Sequence, residues 1–393
     1  MRAKAIIYIL LVFALMLVTA RNADGTTQKV LYSFTGGVDG GDPYAGVILD
    51  SAGNLYGVTE HGGLYGRGTV FKLAPSQNGW TETVLYNFTG GTDGAEPIGG
   101  LTWSEYGELY GTASAGGDPA SGCGTVFNLW NTSLTVVHTF KGSGDGCSPG
   151  AVLYYISGGG IWGTTVYGGS RGYGAAFVID SDGNYAVDSF SGSNGQNPWG
   201  GINQWGYGVT FEGGRTTHGK LYQVIWPSSF KIIRGFGTTS TVGYHPMGEL
   251  LAVTINGVRT MYGVTYSGAA GGGGAVYRMT EDPVKQHWAT KVLHAFSGPD
   301  GEGPGSGVIR DAAGNIYGTT MYGGADPGFA GTVFKLSPGL KNKWVHTVLY
   351  NFSGGNDGGV VTSGVVMDAA GNLYGTTSEG GLYGQGVVYQ IVP

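Results

Sequence analysis

The chain has 393 residues, 80 of them glycine and 14 proline. Glycine does not fall at every third position, which excludes collagen, and an apolar share of 41 % with 12 % aromatic and only 12 % charged residues excludes a disordered chain. A net charge of −6 without any basic run argues against a nucleic-acid partner.

In chain order, Arg2 and Lys4 precede an apolar run from Ala5 to Leu17 and then Val18-Thr19-Ala20. This is the pattern of a secretory signal over residues 1–20, cleaved before Arg21. The alternative, a membrane anchor, would need a run of about 20 apolar residues. The expectation is therefore a secreted chain, or a periplasmic one, with no membrane span after cleavage. Residues 21–29 read as a lead, and residues 30–393 as one body.

That body repeats. "GNLYGVTEHGGLYGRGTVFKL" (Gly53–Leu73) returns as "GNLYGTTSEGGLYGQGVVYQI" (Gly371–Ile391), and five related copies lie between them. The aromatic before the marker glycine is Tyr56, Tyr110, Trp162, Tyr207, Tyr262, Tyr317 and Tyr374, at intervals of 45–57 residues. Each copy holds four short runs rich in Val, Ile, Thr, Tyr and Phe. In the first copy these are Gly46–Asp50, Leu55–Thr59, Thr69–Leu73 and Thr83–Phe88, separated by Gly, Asp and Asn. Such runs are β-strands joined by tight turns. Four antiparallel strands per unit, seven times over, predict an all-β, seven-bladed β-propeller.

The fourth-run pattern occurs once before the first unit, at Val30–Phe34, while the last unit stops after its third run. The N-terminal strand therefore joins the last blade and closes the ring, which a β-solenoid would not require. Two aromatic positions recur in every copy and are assigned to packing between blades. One is Phe34, Phe88, Phe140, Phe190, Phe236, Phe296 and Phe352; the other is Phe71, Phe127, Phe177, Tyr222, Tyr277, Phe334 and Tyr389. Gly46, Gly100, Gly201, Gly307 and Gly364 start the first strand, where a propeller's central channel leaves little room for a Cβ.

With "DAAGNLYGTTSEGG" (Asp368–Gly381), "GTVFKLSPG" (Gly331–Gly339) and "VLYNFTGGTDG" (Val84–Gly94), the chain resembles the GloVer tandem-repeat family, named for Gloeobacter and Verrucomicrobia. The resemblance runs from Val30 to Ile391 and implies an exported bacterial protein. It carries no established activity. Members often end in a surface-anchoring tail, and the stop at Pro393 leads to an expectation of free secretion. The fourth and fifth units depart most, around Gly213–Thr239.

Strand alternation sends the loops after the second and fourth strands to one face. Cys123 and Cys147 fall in loops of these two kinds from neighbouring blades, so a disulfide is expected there, with two free thiols as the alternative. An Asp-Gly pair recurs at Asp39, Asp93, Asp145, Asp300 and Asp357, with Asn194 in the fourth unit, and is read as a turn that needs the aspartate locally. No metal-ligand spacing and no cofactor motif is present, so no metal and no cofactor is expected.

Candidate chemistry sits on the same face. The residue before the first double glycine varies in a fixed frame: His61, Ala115, Tyr167, Glu212, Ser267, Tyr322 and Glu379. Glu60, His61 and Glu379 form a candidate acid/base group at the channel mouth. Tyr65, Tyr167, Tyr173, Tyr322 and Tyr383, with Glu212, form a candidate ligand-binding set, joined by Tyr44, Trp199, Tyr266 and Phe329. Tyrosines framed by glycine suit stacking on sugar faces, and packing between loops explains them equally. A divergent cluster comprises Arg215, His218, Arg234, His245 and Glu249. The expectation is a monomeric, non-enzymatic binding scaffold for a polysaccharide or a surface protein. A propeller lyase or hydrolase and a structural cell-surface protein are the alternatives.

Overall fold

A computed structural model describes residues 19–21 and 25–393, apart from 78, 215–217, 226–228, 238–240, 283, 285–286 and 326–329. Residues 1–18 of the signal reading, together with Arg215 and Phe329, lie outside the described residues. Seven antiparallel sheets follow one another along the chain, and their innermost segments meet round one central channel. The protein is a seven-bladed β-propeller. In the first blade the order from the channel outward is Ile48–Leu49, Leu55–Thr59, Thr69–Ser76 and Gly79–Asn87.

Closure is made by the N-terminal strand. Thr27–Ser33 pairs antiparallel with Val387–Val392, from Thr27 opposite Val392 to Ser33 opposite Val387. Every backbone group of the last blade's third strand thereby finds a partner, which removes an edge that could pair with other chains. A short further strand, Thr19–Arg21, lies outside Thr27–Ser33, so cleavage before Arg21 would leave only its last residue.

Two backbone requirements are each met once per blade, and the first takes a glycine every time. The marker glycine of the second strand stands opposite the third-strand aromatic, as Gly57 does opposite Phe71. A Cβ at Gly57 would come 2.6 Å from the Phe71 ring, and the same crowding recurs at Gly111, Gly163, Gly208, Gly263, Gly318 and Gly375. Removing the side chain lets the ring lie flat on the neighbouring strand.

The second requirement concerns the seams. At each seam a loop residue with φ between 52° and 64° donates its N–H to a carbonyl of the preceding blade. These residues are Asp42, Glu96, Ser148, Asn197, His245, Gly303 and Val360. Only one of the seven is glycine, so the shared hydrogen bond offsets the cost of a left-handed backbone elsewhere.

Aromatics fill the seams. The phenylalanine ending each outer strand packs on the third-strand ring of the next blade, as Phe88 does on Phe127 (centroids 5.3 Å apart, planes at 63°) and Phe352 does on Tyr389 (4.9 Å, 61°). Both rings are fully buried at nearly every seam. Burial of each side chain contributes about 1.5–3 kcal/mol. The core is thus a ring of seven similar clusters.

The fourth blade departs from four regular strands. Its sheet has three, Tyr207–Thr210, Lys220–Ile225 and Ser229–Gly235. Asn203 accepts the Trp205 and Tyr207 N–H groups on its side chain and donates its own N–H to the Tyr207 carbonyl, closing the inner hairpin directly at the marker tyrosine. In the first blade the corresponding turn closes at Asn54, two residues before the marker Tyr56. The shortened hairpin leaves no length for a regular inner strand.

Candidate binding face and central channel

The loops after the second and fourth strands do share one face. In six blades the residue before the double glycine forms a backbone bridge with the turn entering the same blade, as His61 does with Gly41 and Glu379 with Gly359. The Asp-Gly aspartates cap those turns. Asp39 accepts the Thr35 N–H and the Tyr32 hydroxyl at 2.9 and 3.0 Å, and Asp93 and Asp357 repeat the pattern. Cys123 and Cys147 are joined by a disulfide across the seam between the second and third blades.

The His61 ring pairs with Asp42 at 3.1 Å, next to Glu60. Burial raises the Glu60 pKa, the carboxylates of Asp42 and Glu96 add to this, and His61 opposes it. Glu379 is exposed, and among the described residues no hydrogen bond or ion pair joins it to Glu60 or His61. Tyr44, Tyr266 and Tyr322 lie near one another at the mouth. Burial raises the Tyr44 pKa, followed by the influence of Glu60 and of the two tyrosines.

The aromatic set is well presented. Tyr65, Tyr167, Tyr173, Tyr322 and Tyr383 all project into solvent, together with Leu64, Leu382 and Val38 from the same loops. Six of these side chains come from the contiguous arc of the sixth, seventh and first blades. Glu212 accepts a hydrogen bond from Gln196, which holds it against its own turn. The divergent cluster is dispersed. His218 and His245 pack at a seam, where His245 stacks on Phe211, whereas Arg234 donates to Thr290 on the outer edge.

Glu249 alone of that cluster reaches the channel, a cavity of about 400 Å³ lined by all seven inner segments. Extending the pairing registers aligns Gly46, Gly100, Val152, Glu249, Gly307 and Gly364 at one level of the ring, and Gly201 lies between Val152 and Glu249. A Cβ at Gly46 would meet the Gly364 carbonyl at 3.2 Å, and one at Gly307 the Glu249 carbonyl at 2.7 Å. Small residues are therefore needed where each blade meets the next. The fifth blade breaks the rule through a bulge: its inner strand, Tyr244–Ile255, shifts register between Met247 and Leu251, around Glu249. Bulges re-aim side chains. Glu249 is partly exposed in the channel, and burial alone pushes its carboxyl up to about 7.

One further cluster has metal-ligating side chains. Donor atoms of His294, Asp300 and His346 lie within 4.8 Å of one another. The two imidazoles are stacked 4.0 Å apart with planes at 6°, so their in-plane lone pairs run parallel and do not converge on one ion. His294 pairs with Asp300 at 2.8 Å, in the place Tyr32 takes on Asp39. The same device recurs where His138 meets Asp145 and stacks on Tyr185.

The chain matches the Gloeobacter/Verrucomicrobia repeat over residues 17–206 and 151–389, two overlapping stretches that span almost the whole ring. It belongs to that family. No curated protein matches this repeat protein in sequence. Among solved structures it is similar to an alpha-L-arabinanase of Penicillium chrysogenum complexed with arabinobiose, at 11 % identity and TM-score 0.40, covering 74 % of this chain and 91 % of that one. A putative 6-phosphogluconolactonase of Bacteroides uniformis matches at 13 % identity and TM-score 0.49, over 83 % and 95 %. A putative oxidoreductase (glucose dehydrogenase) of Thermus thermophilus matches at 13 % and 0.41, over 94 % and 100 %. Similarities this distant say nothing of activity. No helix among the described residues is long and apolar enough to cross a membrane.

Proposed function

We propose that this repeat protein is an exported binding scaffold that takes a polysaccharide on its glycine- and tyrosine-rich loop face. One observation carries the reading. Half of the large apolar side chains exposed among the described residues belong to those loops, although the loops are framed by glycine and built to be small. An amphipathic phenol at a rigid backbone position presents a flat apolar face at low entropic cost, which suits a pyranose ring. Tyr322, Tyr383 and Tyr65, from three consecutive blades, form the main stacking arc. Tyr167 and Tyr173 extend it, and Glu212 accepts from sugar hydroxyls. The charged, cleavable pattern of residues 1–20 supports export, and self-contained ring closure supports a monomer.

The test is a glycan-array screen of the full chain beside a variant carrying Tyr65→Ala, Tyr322→Ala and Tyr383→Ala. Losing three stacking contacts at about 0.5–1.5 kcal/mol each should weaken binding at least about tenfold without changing the melting temperature. Binding to no glycan, or equal binding by the variant, would remove the reading.

A further inference from the structure

The channel holds an ionisable group that the loop-face reading leaves unused. Glu249 occupies a level at which five of the other six blades have glycine, and a bulge is built into its strand to place it there. Its side chain lies beside Gly201, where a Cβ would come within 4.0 Å of the Glu249 Cγ, an ordinary contact. Among the described residues no donor and no cation pairs with its carboxyl.

The polar side chains beside it are already engaged. Asn203 donates to the Leu250 carbonyl, Gln204 to the Ala252 carbonyl, Thr362 to the Tyr44 carbonyl, and Ser363 pairs with Thr376. Much of the remaining described wall is apolar, including Val47, Leu101, Val152, Leu251 and Val308, with Trp199 and Ser306 also on it. The only other ionisable side chains on the lining are the phenols of Tyr44 and Tyr154, and no cationic side chain lies there.

We infer that the channel is a binding site for a small organic ammonium ion, with Glu249 pairing with the cationic nitrogen and the aliphatic wall covering the hydrocarbon part. A carboxylate partly withdrawn from water without a partner is costly, and a ligand cation is the partner this site lacks. Calcium sites draw on several carboxylates, whereas the described lining offers one. A neutral apolar molecule would leave the charge uncompensated. A cavity of about 400 Å³ takes a small molecule, not a chain segment. The upward shift of the free carboxyl to about 7 is the cost of that missing partner, and a bound ammonium would reverse it.

The experiment is isothermal titration calorimetry of the full chain with benzylammonium chloride and, separately, with benzyl alcohol at about pH 8. The expected result is one saturable ammonium site, with the alcohol binding at least about tenfold more weakly. Glu249→Gln should lose the ammonium preference by a similar factor, with a melting temperature at or above that of the wild type. Glu249→Gly, which restores the residue of the other blades, should do the same and serves if the amide variant misfolds. Equal binding of amine and alcohol, retention of the site in either variant, or no saturable ammonium binding would overturn the inference. The probe carries no sugar and the glycan screen leaves Glu249 intact, so either reading can fail without the other.

Discussion

The sixth, seventh, first and second blades follow the repeat almost residue for residue, whereas the fourth and fifth keep its frame and abandon its details. Both groups retain the glycine under the third-strand ring, the seam residue with positive φ, and the phenylalanine between blades. They differ at the channel. The regular blades each place a two-residue inner strand there, such as Ile48–Leu49 or Val366–Met367. The fourth blade cuts its inner hairpin short at Asn203, and the fifth runs an inner strand of 12 residues with a bulge round Glu249. The repeat therefore specifies the scaffold, and its exceptions set the shape of the channel.

That contrast can be broken at the frame. Gly57→Ala in a regular blade and Gly208→Ala in a divergent one both drive a methyl into a buried ring. Each should cost about 2–3 kcal/mol, read as a fall in melting temperature. A much smaller cost at Gly208 would mean that the fourth blade is held together differently. A smaller effect of opposite sign sharpens the contrast. The hydroxyls of Tyr222, Tyr277 and Tyr389 are buried without a hydrogen-bond partner, at positions where regular blades such as the first and second have phenylalanine. Tyr222→Phe should be neutral or stabilising by about 1 kcal/mol, while Phe71→Tyr should destabilise by about 1–3 kcal/mol. Chemical denaturation of both variants checks the pair, and a loss on Tyr222→Phe would show that the hydroxyl has a role at that seam.

Much of the architecture was legible because a tandem repeat displays its core by recurrence. Seven marker aromatics set the blade count, and the early fourth-strand pattern at Val30–Phe34 showed how the ring closes. The three-stranded fourth blade was not legible, because "GINQWGYG" hides a hairpin four residues shorter than "GVILDSAGNLYG" behind the same turn chemistry. At the loop face, the exposure of Tyr65, Tyr322 and Tyr383 followed from their glycine frame. Glu249 was within reach. The five glycines that begin inner strands left the third and fifth blades blank, and the pairing of Leu251 with Tyr262 brings Glu249 into the second gap. A longer hairpin hid that register, since Gly46 precedes Tyr56 by 10 residues and Glu249 precedes Tyr262 by 13.

The most direct test of the claim that the divergent blades bury an uncompensated carboxyl in the channel is unfolding free energy against pH for the wild type and Glu249→Gln. The Glu249 pKa is about 7 when folded and 4.5 in its ordinary state, so between these values the folded chain holds more protons than the unfolded one. The stability this proton contributes is present below about pH 4.5 and lost as pH rises through 7. Glu82, raised to about 7 mainly by burial and then by Asp39, behaves alike in both proteins and cancels in the difference. From about pH 5 to about pH 8, Glu249→Gln should gain on the wild type by as much as about 3 kcal/mol. Two curves that stay parallel across that range would show a carboxyl titrating as it does in water, and would contradict the account.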